Sequence, residues 1–190
     1  MKNLLLISNS TNPGESYLGW PKEDIKNFCE KFNVKKVLFI PYAGVNIRPS
    51  HVEPGQPFSV KDSYNAYEKK VSSVYAEFGV KIQSIHRVKC PIEAVIKAEC
   101  IAVGGGNTFH LVHTLHKLGL MDAIRERVVN GMPYMGWSAG SNIACPSLKT
   151  TNDMPIIEPE RFDCLNVIPF QINTNYTEQN LVGHGGETRR

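Results

Sequence analysis

The sequence predicts an α/β fold, with a mostly parallel sheet and helices on both faces. Three observations predict it. Short apolar runs that read as buried strands alternate with longer runs whose apolar residues recur every three or four positions. Two of the apolar runs end in glycine-rich turns, at Gly104-Gly105-Gly106 and around Ser138. Such turns at strand carboxyl ends are where open parallel sheets place their ligands. Finally, the 190 residues suit one domain (1–190) with a real hydrophobic core.

Each element has its own signal. Leu4-Leu5-Leu6-Ile7 is a short buried strand. Residues 21–32 read as a helix with Ile25, Phe28, Cys29 and Phe32 on one stripe. Residues 37–40 are the second strand. The following stretch, 43–57, carries Gly44, Pro49, Pro54, Gly55 and Pro57 and reads as a surface loop, either a plain connection or a flap over a site. Residues 64–78 form a helix with Tyr64, Tyr67, Val71, Val74 and Phe78 facing inward, and Gly79 closes it. A strand spans 80–85. Pro91 opens a helix that runs to residue 98. Residues 101–103 are a strand, and helices follow at 108–118 and 121–130, the second closed by Gly131. Residues 134–137 form the strand that leads to Ser138.

Composition excludes several classes. A net charge of +3 with 21% charged residues is too mild to argue for nucleic acid, and before Arg189-Arg190 no basic run is longer than a pair such as Lys69-Lys70. No apolar run approaches the ~20 residues of a membrane span, and Leu4-Leu5-Leu6-Ile7 is too short for a signal-peptide core. The five cysteines are odd in number and lack C-x-x-C spacing, which suits reduced thiols in a cytoplasmic protein. No cofactor is expected. The Gly104-x-Gly106 turn has Phe109 where a dinucleotide site wants a small residue, and no Gly-Lys-Ser/Thr is present. No metal is expected either, since His110 and His116 lie about 240° apart around a helix axis.

The chemistry gathers around Gly136-Trp137-Ser138-Ala139-Gly140. A strand feeding G-x-S-x-G reads as a nucleophile elbow, a tight strand-to-helix turn that lifts a serine hydroxyl clear of the sheet. The new helix would aim its amides and dipole at the serine. Backbone N–H groups of Gly105 and Ala139 are the oxyanion candidates, with Gly104 and Asn107 of the same turn beside the substrate. Asp153, fifteen positions after the serine, fits the Ser…Asp…His order of elbow enzymes, and equally fits a turn residue. His184 is the only histidine after Asp153 and is the base candidate by chain order, although a solvated loop histidine reads the same way.

Seven collinear segments resemble peptidase E, a family of serine peptidases that act as α-aspartyl dipeptidases. They are Leu5 to Thr11, Phe39 to Val45, Ile85 to Val88, Val103 to Phe109, Gly136 to Gly140, Thr150 to Ile156 and Gly183 to Arg189. The resemblance implies a fold like that of class I glutamine amidotransferases, with serine in place of their cysteine. It implies cytoplasmic hydrolysis of a small acidic dipeptide, Asp-X. Ser138 matches the family nucleophile, Asp153 an aspartate needed for activity, and Arg189 the Gly-Glu-Thr-Arg arginine that holds the aspartyl carboxylate, a task suited to a planar guanidinium. His184 matches a family histidine that is not the base. The family base sits in an Asn-Pro-His-Phe motif, and here Asn175 of Asn173-Thr174-Asn175-Tyr176 takes its place. The family also continues past the position of Arg190, so an uncovered sheet edge and a homodimer that hides it are expected. Two alternatives accompany the dipeptidase reading. One is a catalytically impaired pseudoenzyme that binds acidic peptides, the other a cyanophycinase-like hydrolase.

Overall fold

Five apolar strand segments find burial on both faces by lying side by side in one parallel sheet. The structure, a computed structural model, describes residues 1–176. The strands are β1 (Leu4–Ile7), β2 (Lys36–Ile40), β3 (Lys81–Ser84), β4 (Ile101–Val103) and β5 (Tyr134–Trp137), arranged in the order β1-β5-β4-β2-β3. Every pairing is parallel. The helices are α1 (Lys22–Lys31), α2 (Val60–Ala76), α3 (Pro91–Lys97), α4 (Thr108–Lys117), α5 (Leu120–Val129) and α6 (Ala139–Asn142).

Strand side chains alternate between two cores, as the period of two requires. Val37, Phe39, Ala102, Met135 and Trp137 pack with Ile25 and Cys29 of α1 and with Val71 and Tyr75 of α2. Leu38, Ile40, Ile101, Val103 and Tyr134 pack on the other face with α3, α4 and α5 through Val95, Leu111, Leu115 and Ile124. Helices therefore cover both faces, as the sequence predicts. β1 and β3 flank the sheet among the described residues, and both are less buried than the three strands between them.

Two of the boundaries that differ from the sequence reading do so for a clear local reason. The helix expected from Tyr64 begins a turn earlier, at Val60. Ser59 caps it by accepting the Asp62 N–H at 3.1 Å, while Asp62 returns to the Ser59 N–H at 3.2 Å. The strand expected over 80–85 stops at Ser84, and Ile85–Arg87 form a 3₁₀ turn closed by the Val88 N–H on the Ile85 carbonyl. The 43–57 loop is pinned at its start by the buried Ser63, whose hydroxyl donates to the Gly44 carbonyl (2.5 Å) and accepts the Ile47 N–H (2.7 Å).

Strand register brings the candidate segments together. Leu6, Gly136 and Val103 lie in one row across β1, β5 and β4, and Val103 pairs with Ile40 of β2. Two residues on from that row, Ser8, Ser138 and Gly105 consequently stand at one level, just past the ends of their strands. The chain from β4 leads to β5 on one side while the chain from β2 leads to β3 on the other, so a crevice opens between their carboxyl ends. All five cysteines are free thiols, and burial pushes Cys29 up to about 11. Among the described residues no helix is long and apolar enough to cross a membrane.

Candidate active site

Ser138 carries a backbone conformation that few residues with a Cβ adopt, φ +52° and ψ −115°. The surroundings enforce it. A Cβ on Gly140 would lie 2.0 Å from the Val103 carbonyl oxygen, and one on Gly136 would lie 2.4 Å from the Gly140 oxygen. Both positions therefore admit only glycine. The turn is clamped from outside as well. Ser138 N–H donates to the Ile7 carbonyl at 3.0 Å, Tyr134 donates its hydroxyl to the Gly140 carbonyl at 2.6 Å, and the Ser141 hydroxyl lies 2.7 Å from the Ile7 and Gly136 carbonyls. The helix behind Ser138 has only four residues, so its dipole is small. What it offers instead is Ala139 N–H, the first amide of the turn, which has no intrahelical partner.

The Gly104-Gly105-Gly106-Asn107 turn stands against Ser138. A Cβ on Gly105 would come within 2.9 Å of the Ser138 Cβ, and one on Gly106 within 2.2 Å of the Ala43 carbonyl oxygen. Gly104 N–H goes to Ile40 and Asn107 N–H to Ala43, while Gly105 and Gly106 line the cleft in front of Ser138. Behind Gly105 lies a buried phenol. Tyr67 donates to the Gly105 carbonyl at 3.1 Å and accepts from Trp137 Nε1 at 3.0 Å. Tyr17 donates its hydroxyl to Tyr67 at 3.2 Å, and burial pushes Tyr67 up to about 12, so it stays neutral. The sequence marks Tyr67 as an inward helix residue but gives no sign that its hydroxyl holds the glycine turn.

Asn175 faces Ser138. Its backbone adopts φ +60°, its N–H donates to the Ser8 hydroxyl at 3.0 Å, and its Nδ2 donates to Ser138 Oγ at 2.9 Å. The segment is held by Asn142 Nδ2 and the Thr150 hydroxyl, which both donate to the Ile172 carbonyl. The amide thus presents a donor to Ser138 Oγ.

Asp153 lies elsewhere in the site. Its Oδ2 accepts the Thr108 N–H at 2.6 Å, the Thr108 hydroxyl at 2.6 Å and the Thr151 hydroxyl at 2.9 Å. These bonds run to the first turn of α4, directly after the glycine turn. The Asn107 side chain is spent within the protein, accepting the His110 N–H at 3.0 Å and donating to the Met154 carbonyl at 2.8 Å. Gly104 approaches the Tyr67 ring, where a Cβ would lie 2.5 Å from the hydroxyl. His184 and Arg189 lie outside the described residues. Two of the α4 histidines bond to neighbouring loops, with His110 Nδ1 on the Tyr42 carbonyl and His116 Nε2 on the Asp163 carbonyl, both at 2.8 Å. No cluster of potential metal ligands occurs among the described residues.

The cleft over Ser138 has a volume of about 350 Å³ and is walled by Tyr17, Tyr67, Lys70, Gly105 and Asn175. A larger groove near Lys36 and Glu99 lies at the opposite, amino-terminal ends of the strands and has no part in this geometry.

Known proteins share both the sequence and the architecture. The model of peptidase family S51 matches residues 4–190. Peptidase E of Nostoc sp. (strain PCC 7120) is 50% identical over 188 residues, covering 99% of this chain and 71% of the relative. Peptidase E of Shewanella sp. (strain MR-4) is 44% identical over 187 residues, covering 98% and 72%. A crystal structure from Listeria monocytogenes EGD-e, provisionally named a peptidase E protein, superposes with a TM-score of 0.61 at 26% identity, covering 90% of this chain and 77% of that one.

Proposed function

Because the chain belongs to peptidase family S51, a family of serine-type peptidases, we propose that the cleft over Ser138 hydrolyses dipeptides with an N-terminal aspartate. The observation that carries this reading is the strained Ser138 held between Gly136 and Gly140 and facing Gly105. Ser138 Oγ attacks the scissile carbonyl carbon. Gly105 and Ala139 N–H groups receive the negative charge that forms on the carbonyl oxygen, an arrangement worth about 10²–10³ in rate per donor. Tyr67 supports this from behind by fixing the Gly105 peptide. Arg189 is assigned to the aspartyl carboxylate on the family resemblance, and His184 to the serine proton by chain order alone.

One observation favours a second reading, a member of the family with impaired turnover. An amide has no basic form near neutral pH, and Asn175 Nδ2 donates to the oxygen from which a base would take a proton. Loss of a triad base costs on the order of 10⁴–10⁶ in kcat.

Hydrolysis of Asp-Leu by the protein, by Ser138→Ala and by His184→Ala tests the first reading. Turnover that disappears in both variants supports a dipeptidase with a relocated base. Turnover no higher than the Ser138→Ala blank supports the impaired reading. In that case Asn175→His should raise the rate of Ser138 labelling by a fluorophosphonate about 10²–10⁴-fold, the usual contribution of a positioned base. Equal labelling of the native protein and Ser138→Ala refutes Ser138 as the nucleophile.

A further inference from the structure

One cation beside the nucleophile has no role in the chemistry described so far. Lys70 lines the same cleft as Ser138, Gly105 and Asn175, and it is the only charged residue among those described that does so. It sits one turn after Tyr67 on α2, which places both on one helix face. Tyr67 is the phenol that holds the Gly105 carbonyl, so the Lys70 side chain rises from directly behind the oxyanion turn. Its ammonium lies 4.2 Å from the centre of the Tyr17 ring, and Tyr17 in turn bonds to Tyr67. No carboxylate among the described residues pairs with Lys70 within 4.0 Å. Instead it rests on an aromatic face, a contact worth less than a desolvated ion pair. Partial burial of the ammonium lowers its pKa below the usual lysine value, although the residue as a whole is exposed.

We infer that Lys70 is a substrate-binding residue whose ammonium anchors a carboxylate of the bound ligand. The inference rests on reading the cleft as an aspartyl-dipeptide site and names a residue that holds one of the two carboxylates of such a ligand. An Asp-X dipeptide carries two carboxylates, on the aspartyl side chain and at the C-terminus. Each carboxylate carbon is three bonds from the scissile carbonyl carbon, so either is close at hand once Ser138 engages that carbonyl. The chemistry is common to both: a charge-assisted N–H···O bond in a partly desolvated cleft. Lys69 next door serves as an internal control, because it lies outside this cleft.

The test is calorimetric titration of Asp-Leu into Ser138→Ala protein, which binds without turnover, with Lys70 intact, as Met or as Arg. Lys70→Met should weaken Asp-Leu binding about 10- to 100-fold, the usual range for a hydrogen bond to a charged group. Lys70→Arg should recover part of it, and Lys69→Met should change nothing. Two further ligands separate the carboxylates. A Lys70→Met penalty that vanishes with Asn-Leu assigns the ammonium to the aspartyl side chain, and one that vanishes with Asp-Leu-amide assigns it to the C-terminus. An equal penalty for all three ligands, or none for any, overturns the inference. Succinate distinguishes failure of the inference from failure of the dipeptide reading. If succinate binds in a Lys70-dependent way and Asp-Leu does not bind, the anchor stands and the dipeptide reading falls. If neither ligand binds, both fall.

Discussion

Replacing Ser138 with glycine should make the protein more stable than replacing it with alanine. Both substitutions remove the hydroxyl and the bond it accepts from Asn175. The two variants differ in the Cβ atom alone. At φ +52° and ψ −115° the Cβ crowds the backbone, and holding a residue there costs about 1–3 kcal/mol. Glycine escapes that strain but loses more backbone freedom on folding, which takes back about 0.5–1 kcal/mol. The balance favours glycine by roughly 1 kcal/mol, and for a chain of this size each kcal/mol moves Tm by about 2–4 °C. The assay is urea unfolding of the two variants side by side, with thermal melting as the second probe. The urea midpoint should rise in Ser138→Gly at unchanged slope, because the surface exposed on unfolding is the same. Equal midpoints, or a higher midpoint for alanine, would refute the claim that the turn stores strain at the nucleophile.

Two further outcomes follow from side chains around the site. Asp153→Asn should destabilise the protein by about 1–2 kcal/mol, since one ionised oxygen there gathers three donors and a neutral amide binds them more weakly. It should also slow fluorophosphonate labelling of Ser138 if Asp153 acts by fixing the start of α4 and the glycine turn before it; full stability together with full labelling would remove that role. His86 gives a pH signature. Burial lowers its pKa below the usual 6.5, with Ser84 on Nδ1 at 2.7 Å and Asn65 on Nε2 at 3.0 Å. Because the unfolded chain takes up the proton first, stability is fully present above about pH 6.5 and falls as pH drops from there towards the folded-state value. His86→Gln should flatten that decline in urea midpoints measured between pH 7 and 5, and an unchanged slope would exclude His86 as its source.

The fold was legible because its signals are local and repeated. Two-sided burial leaves strands such as Leu38-Phe39-Ile40 apolar at every position, and the alternation with amphipathic helices fixes the class. Glycines at 136 and 140 were legible for the same reason: the tight turn makes a demand that one residue type meets. What stayed hidden depends on sheet order. Tyr67 reads as an ordinary core residue of α2 until β2 and β4 are known to be neighbours, which puts the helix behind Gly105. Lys70 reads as a solvated charge beside Lys69 for the same reason. Asp153 shows what chain order leaves open. Chain order suggests a triad member, yet order carries no distance, and the carboxylate closes the first turn of α4. The 3₁₀ turn at Ile85 was missed because an apolar residue after a strand looks like more strand until its carbonyl finds the Val88 N–H.

Asn175 reverses the direction of one hydrogen bond and leaves the rest of the site in place, and that separation has a chemical consequence. A base accepts the serine proton and raises electron density on Oγ. The Asn175 amide N–H instead draws on an Oγ lone pair, the same density that must attack carbon. On the proposed reading, oxyanion stabilisation by Gly105 and Ala139 depends on neither, because backbone amides fixed by the glycine turn and the elbow would supply it. Enzymes stripped of triad members keep about 10³–10⁴-fold acceleration from those elements alone. Binding and slow reaction with strong electrophiles should therefore survive in this chain even where peptide turnover does not. The property to compare is the ratio of fluorophosphonate labelling rate to Asp-Leu turnover before and after Asn175→His. A fluorophosphonate needs little help at its leaving group, while an amide needs a proton delivered to its departing nitrogen. The substitution should raise turnover by a larger factor than labelling. A uniform rise in both would mean that the imidazole acts only by removing the amide donor from Oγ, not by carrying the proton.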